Sequence, residues 1–447
     1  MATHGKLTEV QRRVAPVTSR KLANLALWSV LVAPPVFVGL DVATHFASTD
    51  FRCFYTAAQM VRENADPYDQ VSWSERTGAP ARDNAGNLRT SPCPGRFAYP
   101  LWTPAVFVPL ALLPATTAAV IWQLILVAGA TAGTVLIWRA AATGPSLVFG
   151  ALVLTSQPFW FTLETAQLGG LLLGLVGLLL WFGSKRRTVA GIPLALLVLK
   201  PHITFLILGA ATLWLARHAR KAALAGGSLA LALLVLSLAI RPDWIGVWLL
   251  EISGPERSAI TNNHTTLWHL ASLLGVPAWA ASFAIFPLVF ALVREAARDD
   301  VSLIDLVAVA AVSGLLIGPY QGSYDQLIVV VAWGRALALG LTLGGAFRSV
   351  FLVGVVAAAS VIPWTLYAIS LQSRPDETLN AFALVTTSLV LYAALRTARL
   401  QRLSGQTRLL PIPSSVAVAS ARILAVSSAP ALLEPGDVLD ITRRRGS

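Results

Sequence analysis

Residues 116–138 read TTAAVIWQLILVAGATAGTVLIW, an uncharged run of about 23 residues. Wound as an α-helix at ~1.5 Å per residue, it reaches ~35 Å and spans the ~30 Å hydrocarbon of a bilayer. Similar runs stand on either side of it: Leu22–Leu40, Pro100–Leu113, Leu168–Phe182, Ala222–Ile240, Pro277–Val293, Leu303–Pro319, Gln326–Leu343, Val350–Leu371 and Leu379–Leu395. The 447 residues are 55% hydrophobic and 13% charged, with a mean hydropathy of +0.67. Soluble domains carry about 25% charged residues. The chain reads as an all-α polytopic membrane protein of about ten full spans, and not as a secreted enzyme, a coiled coil, a collagen or a disordered chain.

The 34 Lys and Arg against 22 Asp and Glu leave a formal charge of +12. That balance invites a nucleic-acid reading, but the basic residues sit in short turns between apolar runs and at the chain ends. They form no basic stripe interleaved with aromatics, so they read as orientation signals. Residues 1–21 are basic and are expected in the cytoplasm, with 22–395 forming the membrane domain and 396–447 a cytoplasmic, largely disordered tail. Residues 41–99 make a long first loop on the outer side.

Lys185-Arg186-Arg187 and the group Arg217, Arg220 and Lys221 mark two cytoplasmic turns only about 30 residues apart. The segment between them, broken at Lys200-Pro201, therefore enters and leaves on one side as a re-entrant hairpin with Lys200 at its apex. Backbone groups freed there need a protein-lined or wet surrounding. By the same parity, 146–163 is a partial helix on the outer side.

A polar side chain at membrane depth costs a few kcal/mol unless it has a partner or a task. Such residues gather on the outer side of this topology. Asp50 opens the first loop, and Arg96 and Tyr99 precede the second span. Glu164 and Gln167 open another run, and Lys200 and His202 lie at the hairpin apex. His264 stands in TNNHTT; Tyr320, Gln321, Tyr324 and Asp325 stand in PYQGSYDQ. A carboxylate there can take a proton from an attacking hydroxyl, and a buried cation can neutralise a phosphate leaving group.

Each residue also has an ordinary reading. Asp50 could cap a helix starting at Phe51, and Lys200 could snorkel or pair with Glu164. His264 could be a plain loop residue, and Asp325 an N-cap. Cys53 and Cys93 share the first loop and could form a disulfide or remain unpaired. The sequence has no P-loop, Rossmann, HExxH or CxxC pattern.

Several stretches occur in a telling order. They are Asp50-Phe51 with Phe54-Tyr55-Thr56-Ala57-Ala58 and Asp66-Pro67-Tyr68, then Phe97-Ala98-Tyr99-Pro100 leading to Pro109–Pro114. Gln167 before a Leu-rich helix, Leu199-Lys200-Pro201 and Asn262-Asn263-His264 follow. This order resembles glycosyltransferase family 87 of the GT-C superfamily, the polyprenyl-phosphate-sugar-dependent mannosyl- and arabinofuranosyltransferases of bacterial envelopes.

The resemblance covers about residues 20–395. It implies inverting transfer of a sugar, mannose before arabinofuranose, from polyprenyl-phosphate to a glycolipid or polysaccharide acceptor. The site would face the periplasm from the inner membrane, with no metal and no cofactor. Asp50 matches the family's base, with Asp41 a second candidate. Lys200 and Arg96 fall to the donor phosphate, and Tyr99, Gln167, His202, His264, Tyr324 and Asp325 to substrate binding. Where many members carry a His-rich stretch, this chain has Gly322–Gln326, so a histidine role there is not expected. A lipid or solute transporter is the alternative class, but the chain shows no internal two-fold repeat of the kind transporters carry.

Overall fold

The computed structural model describes residues 4–78, 81–82, 88–89, 93, 97–142, 147–253, 265–296, 301–318, 320–343, 345–373 and 378–408. The expected assignments to Arg96 and His264, and the expected tail beyond residue 408, lie outside these residues. The contacts divide the chain into Met1–Ala398 and Arg399–Ser447. In the second unit, the described residues are the last turns of one helix.

The protein is an all-helical membrane protein. Among the described residues, seven helices are long and apolar enough to cross a bilayer, eight if the bent pair Leu147–Leu154 (α6) and Gln157–Glu164 (α7) counts as one span. They are the Asn24–Thr44 part of α1 (His4–Thr44), α5 (Ala115–Ala141), α11 (Arg220–Ile240), and the segments Trp279–Ala296, Ser323–Leu343, Gly345–Ser370 and Thr378–Leu403.

These helices coincide with seven of the ten expected spans. The other three runs form α4 (Trp102–Ala111), α8 (Gly169–Ser184) and Leu303–Ile317, of 10, 16 and 15 residues. At ~1.5 Å per residue these reach ~15–24 Å, short of a full crossing. Most of α8 and nearly all of Leu303–Ile317 is buried against protein, so their lengths answer to neighbouring helices and not to lipid thickness. The chain also becomes helical well before the apolar run at 22, and α1 continues past Leu40 to Thr44.

The re-entrant hairpin is present. Its inbound arm comprises Thr188–Ala190, α9 (Gly191–Leu196) and Leu197–Leu199; its outbound arm is α10 (Pro201–His218). A Cβ on Gly191 would meet the Gly226 nitrogen at 2.5 Å, so the inbound arm starts beside the first turns of α11, where α10 also ends. Both arms therefore begin and end together.

Pro201 has no N–H, and Lys200 (φ −135°, ψ 71°) leaves the helical path. Three side chains satisfy the carbonyls this frees: Thr204 Oγ1 donates to Leu197 (2.7 Å), Trp102 Nε1 to Val198 (2.9 Å) and Thr103 Oγ1 to Leu199 (2.9 Å). An unpaired carbonyl at membrane depth is too costly to leave. The smaller break between α6 and α7, where the helices bend by 54°, is closed in the same way by Trp364 Nε1 on the Thr155 carbonyl.

The described residues of the first loop are largely helical. In α2 (Phe51–Arg62), Phe51, Phe54, Tyr55 and Ala58 recur at helical spacing and are buried. Phe54 stacks on Phe107 of α4 with centroids 5.1 Å apart. After α3 (Gln70–Thr77) comes a minimal antiparallel pair, Ala81–Arg82 with Leu88–Arg89. Cys53 and Cys93 form a disulfide across 40 positions, tying α2 to the chain just before Phe97 and Tyr99. In the chain-entropy view, closing a loop of that length contributes about 3–4 kcal/mol.

α5 and α8 meet backbone to backbone. A Cβ on Gly129 would lie 2.6 Å from the Gly170 carbonyl, one on Gly133 2.4 Å from that of Leu173, and one on Gly170 2.4 Å from that of Leu126. Small residues four apart on both helices permit this approach, as in other membrane helix pairs. The first turn of α8, and the residue just before it, is thereby held against α5.

Gly170→Ala should therefore lower the melting temperature of the purified protein, although alanine is the better helix former by about 1 kcal/mol. Gly209→Ala in α10, where no atom lies within 4 Å of the added methyl, should leave it equal or raise it. Equal shifts in both variants would contradict the packing argument.

Candidate active site

Asp50 sits at the N-cap position of α2, yet its carboxylate makes no capping hydrogen bond. The capping explanation thus fails, and the carboxylate turns elsewhere. Gln167 Nε2 donates to Asp50 Oδ2 at 2.5 Å. On its other side, Gln167 Oε1 accepts from Lys200 Nζ (3.3 Å) and from the Leu168 N–H (3.3 Å). The Tyr99 hydroxyl lies 3.2 Å from both amide atoms.

Lys200 Nζ also forms an ion pair with Asp325 Oδ1 at 2.5 Å and stands 4.6 Å from the ring centre of Tyr324. Asp325 Oδ2 accepts the Gly322 N–H at 3.1 Å, so this residue both braces the start of Ser323–Val329 and holds the lysine. Four residues spread over 275 positions of sequence, Asp50, Gln167, Lys200 and Asp325, thus form one hydrogen-bonded chain. The ion pair falls on Asp325, a partner that sequence reasoning had not given to Lys200.

The network has a dry floor and a wet rim. Lys200, Asp325 and Gln167 are 0%, 1% and 2% exposed, whereas Asp50, Tyr99, His202, Tyr320 and Tyr324 each keep some surface. His202 lies between the rings of Tyr99 (6.3 Å) and Tyr320 (5.7 Å). Behind the rim, Tyr99 packs on the buried rings of Phe54 (5.0 Å) and Phe97 (5.6 Å). Asp41 sits near the end of α1 and is exposed.

Burial raises the Asp50 carboxyl to about 6, against the opposing pull of the Gln167 hydrogen bond and the Lys200 charge. At pH 7 the group is mostly ionised yet basic enough to accept a proton, the compromise that favours a general base. Among the described residues, no three His, Cys, Asp or Glu side chains gather as a metal site requires.

The turn that presents Gln167 is held from three directions. Asp50 N–H donates to the Thr165 carbonyl (3.0 Å), Trp122 Nε1 to that of Ala166 (2.8 Å), and Gln167 N–H to that of Thr162 (3.1 Å). Ala166 adopts the left-handed conformation (φ 52°), unusual for a residue with a Cβ and worth about 1–2 kcal/mol of strain.

The chain matches the family model of glycosyltransferase family 87 over residues 97–319, half its length. It belongs to that family. No curated protein and no solved structure matched the chain. The matched segment of this family 87 glycosyltransferase holds Tyr99, Gln167, Lys200 and His202. Asp50 precedes it and Asp325 follows it, and hydrogen bonds tie both to residues within it.

Of the residues expected from sequence, Asp50, Tyr99, Gln167, Lys200, His202, Tyr324 and Asp325 come together. Sequence reasoning did not single out Ala166 or Trp122. A left-handed alanine carries no compositional signal, and a tryptophan in an apolar run reads as packing.

Removing one partner of the buried pair strands the other charge. Asp325→Leu alone should destabilise the protein by about 3–5 kcal/mol. Lys200→Met combined with Asp325→Asn leaves no buried charge and should cost distinctly less. Thermal unfolding of the two variants side by side checks this, and equal losses would refute the coupling.

Proposed function

We propose that this enzyme transfers a sugar, mannose in our reading, from a polyprenyl-phosphate donor to a lipid or glycan acceptor of the bacterial cell envelope. The transfer inverts the anomeric centre, at a site that faces the periplasm from the inner membrane. The observation that carries the reading is Asp50: an ionisable carboxylate on the rim of a buried polar network, raised to about 6 and held by Gln167.

In this reading the acceptor hydroxyl lies against Asp50. Its oxygen attacks the anomeric carbon as its proton passes to the carboxylate. The bond from that carbon to the phosphate oxygen breaks on the opposite face, and its electron pair leaves with polyprenyl phosphate. Phosphate is a good leaving group, so no second proton donor is required. The aromatic rim of Tyr99, His202, Tyr320 and Tyr324 suits the apolar face of a sugar ring.

Arg96 and Lys200 were expected to meet the donor phosphate. With no exposed surface and an ion pair to Asp325, Lys200 contacts phosphate directly only if that pair opens. From the floor it acts through its field. Gln167 and Asp325 have almost no surface to offer a substrate, so their expected substrate-binding role is set aside here for one in the floor.

Purified protein incubated with labelled decaprenyl-phosphate mannose and a membrane lipid extract should move label into a new glycolipid or glycan. Asp50→Asn should abolish transfer, by about 100-fold or more, while the protein remains folded and donor-competent. In the wild type, kcat/KM should be level above pH 7 and fall about tenfold per unit below pH 6, as Asp50 takes up its proton. Undiminished turnover by Asp50→Asn would end the mechanism. Label moving only from an arabinofuranose donor would reassign the sugar and keep the base.

A further inference from the structure

Gln167 has one stable orientation. Its Oε1 faces two fixed donors, the Lys200 ammonium and the Leu168 N–H, and its Nε2 faces the acceptor Oδ2 of Asp50. Rotating the amide by 180° would set N–H against ammonium and N–H, and carbonyl oxygen against carboxylate. Both contacts would become repulsive. The ammonium cannot swing away, because Asp325 holds it and protein atoms cover it completely. The backbone cannot yield easily either, since the turn at 165–167 is bonded from α2, α5 and α7, and the α5–α8 glycine contact begins three residues on.

We propose that Gln167 is the positioning residue of this enzyme: the buried Lys200–Asp325 pair locks its amide, and the amide holds the Asp50 carboxylate where it takes up the acceptor's proton. The inference rests on Asp50 as the base and extends it, giving the floor residues a task that involves no contact with sugar or phosphate. The left-handed Ala166 belongs to the same device, for it turns the chain so that Gln167 points across from the end of α7 to α2.

The charged and titratable groups around Asp50 come from several elements. They are Lys200 at the hairpin apex, Asp325 and Tyr324 on Ser323–Val329, and Tyr99 before α4. Arg52 lies on its own helix, and the exposed Glu164 ends α7, next to the Thr165 carbonyl that accepts the Asp50 N–H. Of these, Lys200 favours the ionised carboxylate and Asp325 opposes it, so the two members of the pair partly offset one another. The Gln167 hydrogen bond favours the ionised form directly.

The test is the pH profile of transfer by full-length protein in detergent, with Asp50→Asn run alongside. Gln167→Met keeps the side-chain length and removes the amide. It should lower kcat at pH 7 about 10- to 100-fold, leave the donor KM within about twofold, and move the acid limb of kcat/KM up by about one pH unit. A limb that stays in place, or a rise in KM with kcat intact, overturns the inference, the latter by making Gln167 a substrate contact.

Lys200→Met/Asp325→Asn guards against a folding failure at position 167. It leaves Gln167 and Asp50 in place but frees the amide to rotate, and should shift the limb in the same direction with a smaller loss of kcat. An unchanged profile and rate in that double variant would overturn the locking role. If Asp50→Asn remains active, the base assignment itself has failed. If it is dead while both floor variants behave as wild type, only the positioning inference has failed.

Discussion

Lys200 carries an ammonium group to a place with no exposed surface, and the surrounding elements are arranged to answer that charge. Burying an ion costs several kcal/mol even after the protein relaxes, and the cost is recovered only with a close counter-ion and further hydrogen bonds. Asp325 supplies the first, while Gln167 and the face of Tyr324 supply the rest. Because those partners come from two stretches remote from Lys200, the need to satisfy one cation fixes the hairpin apex, the Ser323–Val329 segment and the turn before α8 relative to one another. Asp50 then attaches to that assembly through Gln167.

The same accounting explains the irregular backbone nearby. A hairpin that turns back within the bundle exposes carbonyls that lipid cannot satisfy, and Trp102, Thr103 and Thr204 are spent on them. Two of these belong to α4 or its first turn, so the short helix after the first loop braces the apex from outside while Asp325 braces it from within. Polar side chains around the hairpin thus serve two separate ends: closing the backbone where helices break, and building the network that reaches Asp50.

Much of this was legible in the sequence, for identifiable reasons. Long uncharged runs specify membrane helices because a bilayer has one thickness, and the basic turns flanking Lys200 forced a hairpin. The short helices α4, α8 and Leu303–Ile317 were not legible as short: an apolar run does not reveal whether lipid or protein covers it. Asp50 and Lys200 stood out because charge is scarce at that depth. Their connection did not, since the Lys200–Asp325 contact joins positions 125 apart, and only the folded chain brings them together. Gln167 was visible as a polar residue beside a Leu-rich run, but its bridging role depends on a backbone turn that an alanine sequence does not announce.

The cross-link between Cys53 and Cys93 makes the first loop answer to the redox state around it. It fastens the helix that begins at Asp50 to the strand of chain leading to Tyr99, and such a bond persists only where thiols are oxidised. A newly made copy still held in a reducing compartment would have its apolar helices but an unlatched rim.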